Sequence, residues 1–207
     1  DPDMIGDVMR FLDNVLSDFI NKAPEQFKDA KYSAERERSV GLGVMGFHSF
    51  LQKKRIPLES VMSKSWNKKI FKNIHEKVNQ ASKNLAEERG ACPDAAEYGF
   101  KERFSNKTAI APTASISIIC GGASPGVEPI AANSYTHKTL SGSFNVRNRY
   151  LEEILDSHGK NDDETWSTIT TNQGSVSHLD FLTDIEKDVF KTAFELNQKW
   201  IIELSGD

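Results

Sequence analysis

Cysteine is nearly absent from this sequence: only Cys92 and Cys120 occur among 207 residues. They stand far apart, without a CxxC pair or Cys/His ligand spacing, which excludes a zinc ribbon or a local redox couple within the chain. Such sparse thiols suit a reducing compartment, so a cytoplasmic location is expected. A basic excess is also missing. Lys plus Arg number 26 against 30 Asp plus Glu, a net charge of −4, which argues against duplex binding driven by phosphate neutralisation. No direct nucleic-acid partner is expected, although local anion sites stay open. Long apolar runs are lacking too. The longest uncharged stretch, Thr108 to Val127, is broken by Pro112, Gly121, Gly122 and Pro125 and carries several hydroxyls, so no membrane span is expected. The five histidines, His48, His75, His137, His158 and His178, show no HxxxH or HxH spacing. Each reads as a surface or satisfied core residue, and no metal site is expected.

What is present suits a soluble globular chain: 38% hydrophobic and 27% charged residues, with 12 Phe and 3 Trp. The sequence opens with Asp1, its first Met is Met4, and it stops just after a helical pattern, which reads as a piece of something longer. Apolar pairs Met4/Ile5, Val8/Met9, Phe11/Leu12, Val15/Leu16 and Phe19/Ile20 predict a helix with one apolar stripe. Asn21 to Ser39 reads as a polar connector. A Gly-rich segment, Val40 to Phe47, runs into a helix from about Phe47 to Lys54, which Pro57 closes. A long helix is predicted from about Lys64 to Arg89, with Gly90 as its stop. Thr108 to Ala111 reads as a buried strand. Asn148 is placed to cap a helix holding Leu151, Ile154 and Leu155, and another short helix surrounds Trp166. Thr183 and Glu186 form a capping box for a last helix reaching Leu204. Helix outweighs strand, and there is no internal repeat.

Two segments carry candidate chemistry. Gly41, Gly43 and Gly46 spell GxGxxG, which in a dehydrogenase lets backbone approach a pyrophosphate. That reading needs a buried strand just before it and an acid about twenty residues later. Here Glu35 to Arg38 precede it, Glu59 comes too early, and Ser63 to Trp66 occupy the acid's place. Close packing of a glycine strand, where a β-carbon would clash, is the plainer alternative.

The second segment is Pro112-Thr113-Ala114-Ser115-Ile116-Ser117, with hydroxyls on alternate residues after a proline. Thr113 or Ser115 is placed to cap a helix start. Unpaired N–H groups there, with the positive end of the helix dipole, make an anion site that needs no cationic side chain. Spacing alone favours an ordinary capped helix in a core, since such caps are common. The following loop, Gly121 to Pro129, is built of small residues, and such loops often carry function. Glu128 within it reads as an exposed carboxylate, with a buried acid as the alternative.

Asn106 to Phe144, NKTAIAPTASISIICGGASPGVEPIAANSYTHKTLSGSF, together with Glu35 to Gln52 and Glu88 to Ala95, closely resembles the large catalytic subunit of class I ribonucleotide reductase. The likeness runs in order along nearly the whole chain. It implies an α/β, helix-rich fold: residues 1–207 as a single fragment of the C-terminal half of that family's ten-stranded α/β barrel. It also implies that Pro112, Thr113, Ala114, Ser115 and Ile116 hold the phosphates of a ribonucleoside diphosphate. The family's radical-forming cysteine, its reducing cysteine pair and its assisting Asn and Glu have no match here and belong upstream, as do the allosteric nucleotide sites. The tyrosine pair of the radical path belongs downstream. The contexts of Cys92 and Cys120 match none of the reactive ones, so both read as structural. The resemblance further implies three partners, the ribonucleoside diphosphate substrate, the rest of the large subunit and a radical-generating metal-containing small subunit, and ATP or dNTP effectors for the parent enzyme. It implies a role in deoxyribonucleotide biosynthesis for DNA replication. The chain alone is expected to bind no cofactor and to be inactive. A stand-alone helical interaction module is the competing reading, with the stripes of Met4 to Ile20 and Val189 to Leu204 as partner-binding faces.

Overall fold

The computed structural model describes residues 3–140 and 142–206; Asp1, Pro2, Ser141 and Asp207 lie outside the described residues. In chain order the helices are α1 (Met4–Lys22), α2 (Lys28–Glu37), α3 (Phe47–Lys53), α4 (Val61–Arg89), α5 (Pro93–Glu97) and α6 (Ala114–Ile119). A hairpin, β1 (Ser134–Thr139) and β2 (Gly142–Arg147), precedes α7 (Arg149–Ser157), α8 (Asp163–Thr171), α9 (Asp184–Val189) and α10 (Gln198–Gly206). Two compact units emerge, Asp1–Gly43 with Lys69–Ala111, and Val44–Lys68 with Pro112–Asp207. Helix outweighs strand, as expected, and no helix among the described residues is long and apolar enough to cross a membrane.

In the first unit the inner half of the α1 stripe, Ile5 and Met9, packs with Val78, Ala81 and Leu85 of α4 and with Phe104. The outer half, Met4, Phe11, Val15 and Phe19, stays exposed. Pro24, lacking an N–H, stops α1. The polar connector expected beyond it is instead a 3-10 turn, Glu25–Phe27, followed by α2. That helix buries no residue, so hydrophobic periodicity gave no sign of it; good helix formers and tertiary ion pairs stabilise it instead. Arg36 reaches Asp94 at 2.5 Å and Glu97 at 2.7 Å on α5. Gly90, at φ +88°, follows α4 as its predicted stop.

Within the same unit, Asp13 of α1 is fully buried among three guanidiniums. Its Oδ1 accepts from Arg38 Nη2 at 2.7 Å and from Arg103 Nε at 2.8 Å, and its Oδ2 accepts from Arg89 Nη1 at 2.8 Å. The expected buried strand at Thr108 to Ala111 is not formed. Thr108 makes one isolated parallel bridge to Leu42, and the segment is exposed. A single bridge makes no ladder, and no strand pairs further with this segment among the described residues.

The core of the second unit gathers Leu151, Ile154 and Leu155 of α7, Trp166 and Ile169 of α8, and Val189 of α9. Asn148 caps α7 through its side chain, which accepts from the Tyr150 N–H at 3.1 Å. The Thr183/Glu186 capping box is complete. The single last helix expected after it is broken into α9 and α10. Thr192 gives both its N–H and its hydroxyl to the Glu195 carboxylate, and the Ala193 N–H goes to the Ile130 carbonyl. These donors are thereby lost to a helical ladder. The hairpin pairs antiparallel from Ser134↔Arg147 to Thr139↔Gly142.

Candidate functional site

The turn singled out in the sequence lies at the start of α6. Pro112 contributes no N–H, and Thr113 takes the left-handed conformation at φ 49°. The first backbone bond back into the turn is Ser117 N–H to the Thr113 carbonyl, 2.9 Å. Among the described residues no group accepts from the N–H of Ala114, Ser115 or Ile116. These donors belong to the first turn, which has no intrahelical acceptor for them, and all three residues are exposed. No charged side chain belongs to the stretch Thr108 to Val127.

Neither hydroxyl caps the helix as expected. The Thr113 Oγ1 instead accepts the Gly126 N–H at 2.7 Å. With a left-handed backbone its side chain leaves the capping geometry and ties the turn to the glycine loop. An accepting hydroxyl still has its proton to donate. Ser117 is buried and donates to the Ala114 carbonyl at 2.9 Å.

The loop beyond α6 is anchored to the start of α3. Gly46 N–H reaches the Ser124 carbonyl at 2.7 Å. Ser49 and Ser124, both buried, exchange hydrogen bonds: Ser124 N–H to Ser49 Oγ at 2.8 Å, and Ser49 N–H to Ser124 Oγ at 3.2 Å. One residue earlier on α3, His48 Nδ1 accepts the Ile130 N–H at 3.1 Å. Burial pushes this imidazole down to about 4, so it is neutral at pH 7. Gln52, one turn on, accepts from Asn148 Nδ2 at 3.0 Å. Thus α3 holds the loop near its middle and at its far end. Local sequence pattern does not pair residues 75 positions apart, and Ser49 and Ser124 were missed for that reason.

The other singled-out residues fall apart from this turn. A β-carbon on Gly41 would stand 2.8 Å from the Ala109 β-carbon, and one on Gly43 would stand 2.5 Å from the Ala109 carbonyl oxygen. Leu42 between them spends its N–H on the Lys107 carbonyl and its carbonyl on the Ala109 N–H. With the Gly46 N–H also engaged, these glycines serve close backbone packing rather than an open pyrophosphate cradle. Glu128 is exposed. Cys92 is buried, as a structural residue should be, whereas Cys120 is exposed at the end of α6, so core packing does not account for it. Among the described residues no three His, Cys, Asp or Glu side chains gather as metal ligands.

A family profile described as "Ribonucleotide reductase, barrel domain" matches residues 2–102 and 94–207. The ribonucleoside-diphosphate reductase large subunit of Invertebrate iridescent virus 6 is 48% identical over 207 residues, covering 98% of this chain and 21% of that protein. A Vitamin B12-dependent ribonucleoside-diphosphate reductase of Thermoplasma acidophilum is 34% identical, covering 92% of this chain and 25% of that protein. The chain therefore spans a quarter or less of these two relatives. Among solved structures, the Actinobacillus ureae class Id ribonucleotide reductase alpha subunit superposes with a TM-score of 0.90 at 38% identity. That match covers 99% of this chain and 38% of that one.

Proposed function

The chain belongs to the ribonucleotide reductase barrel-domain family, and from that membership we propose that it is the stretch of a ribonucleoside-diphosphate reductase large subunit that seats the substrate's diphosphate. The observation carrying this reading is the Pro112–Ile116 turn, whose Ala114, Ser115 and Ile116 N–H groups have no acceptor among the described residues. Phosphate oxygens accept these three donors, and the Thr113 hydroxyl supplies a fourth. The grip comes from neutral dipoles, with the helix start adding its positive end.

The chemical contribution is positioning. Fixing the diphosphate fixes where the ribose lies, so that a reacting group elsewhere in the subunit meets one hydrogen of the sugar rather than several. The thiyl-forming cysteine, the reducing pair and the assisting Asn and Glu belong, in this proposal, to the part of the large subunit outside this chain. The radical source is assigned to a metal-containing small subunit, in line with the "large subunit" and class Id alpha names of two relatives. Regulation by ATP or dNTP effectors, a role in supplying DNA replication, and a cytoplasmic setting complete the reading; the two free thiols support the last.

A dehydrogenase is disfavoured because the backbone around Gly41 and Gly43 is packed against Ala109. A stand-alone helical module is disfavoured by a family match along essentially the full chain. The direct test is titration of the complete large subunit with a ribonucleoside diphosphate, comparing parent with Ser115→Pro. That substitution removes one donor and distorts its neighbours. A loss of affinity of roughly tenfold or more is expected; unchanged affinity would overturn the reading.

A further inference from the structure

We propose that Ser49, in the first turn of α3, is a positioning residue for the diphosphate turn, acting through Ser124 and Gly126. The inference rests on the reading of Pro112–Ile116 given above and extends it to a residue far away in sequence.

Thr113 is the member of the turn with an unfavourable backbone. Its φ of 49° is a conformation that β-branched residues rarely adopt, and it persists only where surroundings impose it. The imposing contact is the Gly126 N–H donated to Thr113 Oγ1 at 2.7 Å. This bond also decides what the hydroxyl does: with a lone pair committed inward, its proton is free for a phosphate oxygen. Gly126 itself sits at φ +50° in a loop whose Gly121 and Gly122 also have positive φ. Gly122 and Ala123 give their N–H groups back to the Ser117 carbonyl at 3.0 and 3.1 Å, and Glu128 N–H reaches the Pro125 carbonyl at 2.9 Å, but none of these bonds ties the loop to another element beyond α6. Its anchor on α3 is Ser124, two residues before Gly126. Ser124 is wholly buried, and its N–H, hydroxyl and carbonyl are all taken by α3 and the residue just before it: by Ser49 Oγ at 2.8 Å, Ser49 N–H at 3.2 Å and Gly46 N–H at 2.7 Å.

The line of contact is therefore Ser49, Ser124, Gly126, Thr113 and then the ligand. Removing the Ser49 hydroxyl leaves the buried Ser124 N–H without an acceptor and frees the loop to relax. The consequence falls on binding. Ser49 touches no reacting atom, so its loss weakens ground state and transition state alike, raising KM with little change in kcat.

The test uses the complete large subunit assayed with its small subunit. Direct titration with CDP and competition by unphosphorylated cytidine are measured for the parent and for Ser49→Ala, Ser49→Thr, Ser124→Ala and Ser115→Pro. Ser49→Ala is expected to weaken CDP binding and raise its KM about tenfold, with kcat within about twofold and cytidine inhibition unchanged. Ser49→Thr, which keeps the hydroxyl, restores CDP affinity. If Ser49→Ala fails to fold, Ser124→Ala gives the same readout from the other side of the pair. General damage would weaken cytidine as much as CDP, and that result overturns the inference, as does a fall in kcat at unchanged KM. Intact CDP affinity in Ser49→Ala alongside its loss in Ser115→Pro overturns the role of Ser49 and leaves the diphosphate reading standing. Intact affinity in Ser115→Pro overturns both.

Discussion

Gly43 faces the carbonyl oxygen of Ala109 so closely that a β-carbon added to it would stand 2.5 Å away. The obstructing atom is main chain, so it cannot swing aside as a side chain would. Gly43→Ala must push apart the two segments that meet at the Leu42↔Thr108 bridge. A destabilisation of about 1–3 kcal/mol is expected, read as a lower midpoint in denaturant unfolding. Titration with NAD(H) should give no saturable binding to the parent or the variant, since these glycines serve packing. Parent stability retained in Gly43→Ala would contradict that assignment.

Asp13 offers a sharper stability test. Burial by itself disfavours its ionised form, but hydrogen bonds from Arg103, Arg89 and Arg38 outweigh burial and hold the carboxyl below the ordinary carboxylate range. A lowered folded pKa contributes stability above the unfolded value, near 4, that is lost as pH falls through the folded value. Asp13→Asn removes the charge while keeping the shape, and leaves three guanidiniums facing one another. The expected cost is about 3–5 kcal/mol at pH 7. Glu88→Gln, which breaks the exposed pair with Arg10, should leave the unfolding midpoint close to the parent's.

The parts of this fold legible in the sequence are those whose cause is local. Asn148 caps α7 and Thr183 with Glu186 starts α9 because a cap needs only its own next few residues. The periodicity of α4 and its stop at Gly90 are local in the same sense. The helix α2 escaped notice because it buries nothing and so lacks an apolar period. The break between α9 and α10 depends on Ile130 and Glu195 capturing donors that the helix would have used. At the candidate site, spacing made Pro112 to Ser117 a plausible donor cluster, but the phosphate assignment came from the family resemblance. That Thr113 turns away from the capping position depends on Gly126, and that Ser49 holds Ser124 depends on contacts no local pattern encodes.

His48 predicts a pH dependence of opposite origin to that of Asp13. It is buried and neutral, with its pKa pushed down to about 4 from an ordinary 6.5. Between those values the unfolded chain binds more protons than the folded one, so stability falls as pH drops from about 6.5 toward 4. From pH 7 to pH 5 the loss attributable to this group is roughly 2 kcal/mol. His48→Gln keeps an acceptor for the Ile130 N–H but does not titrate. Its unfolding free energy should therefore fall less than the parent's over that interval, and parallel pH profiles would refute the assignment.

Thr113 allows affinity to be separated from stability. Its left-handed backbone costs a residue with a β-carbon about 1–2 kcal/mol, whereas glycine takes that conformation freely. Thr113→Gly relieves this strain but loses the acceptor for the Gly126 N–H, a loss of about 1 kcal/mol. These terms oppose each other, so the unfolding midpoint of the complete large subunit should stay near the parent's. Binding receives no such compensation. The hydroxyl donor is gone, and a glycine beside the open Ala114, Ser115 and Ile116 N–H groups lets the turn sample shapes in which they diverge. CDP affinity should fall by roughly tenfold or more at essentially unchanged stability, a combination that unfolding cannot produce. A variant that binds CDP like the parent would show that the Thr113 side chain takes no part in holding the diphosphate.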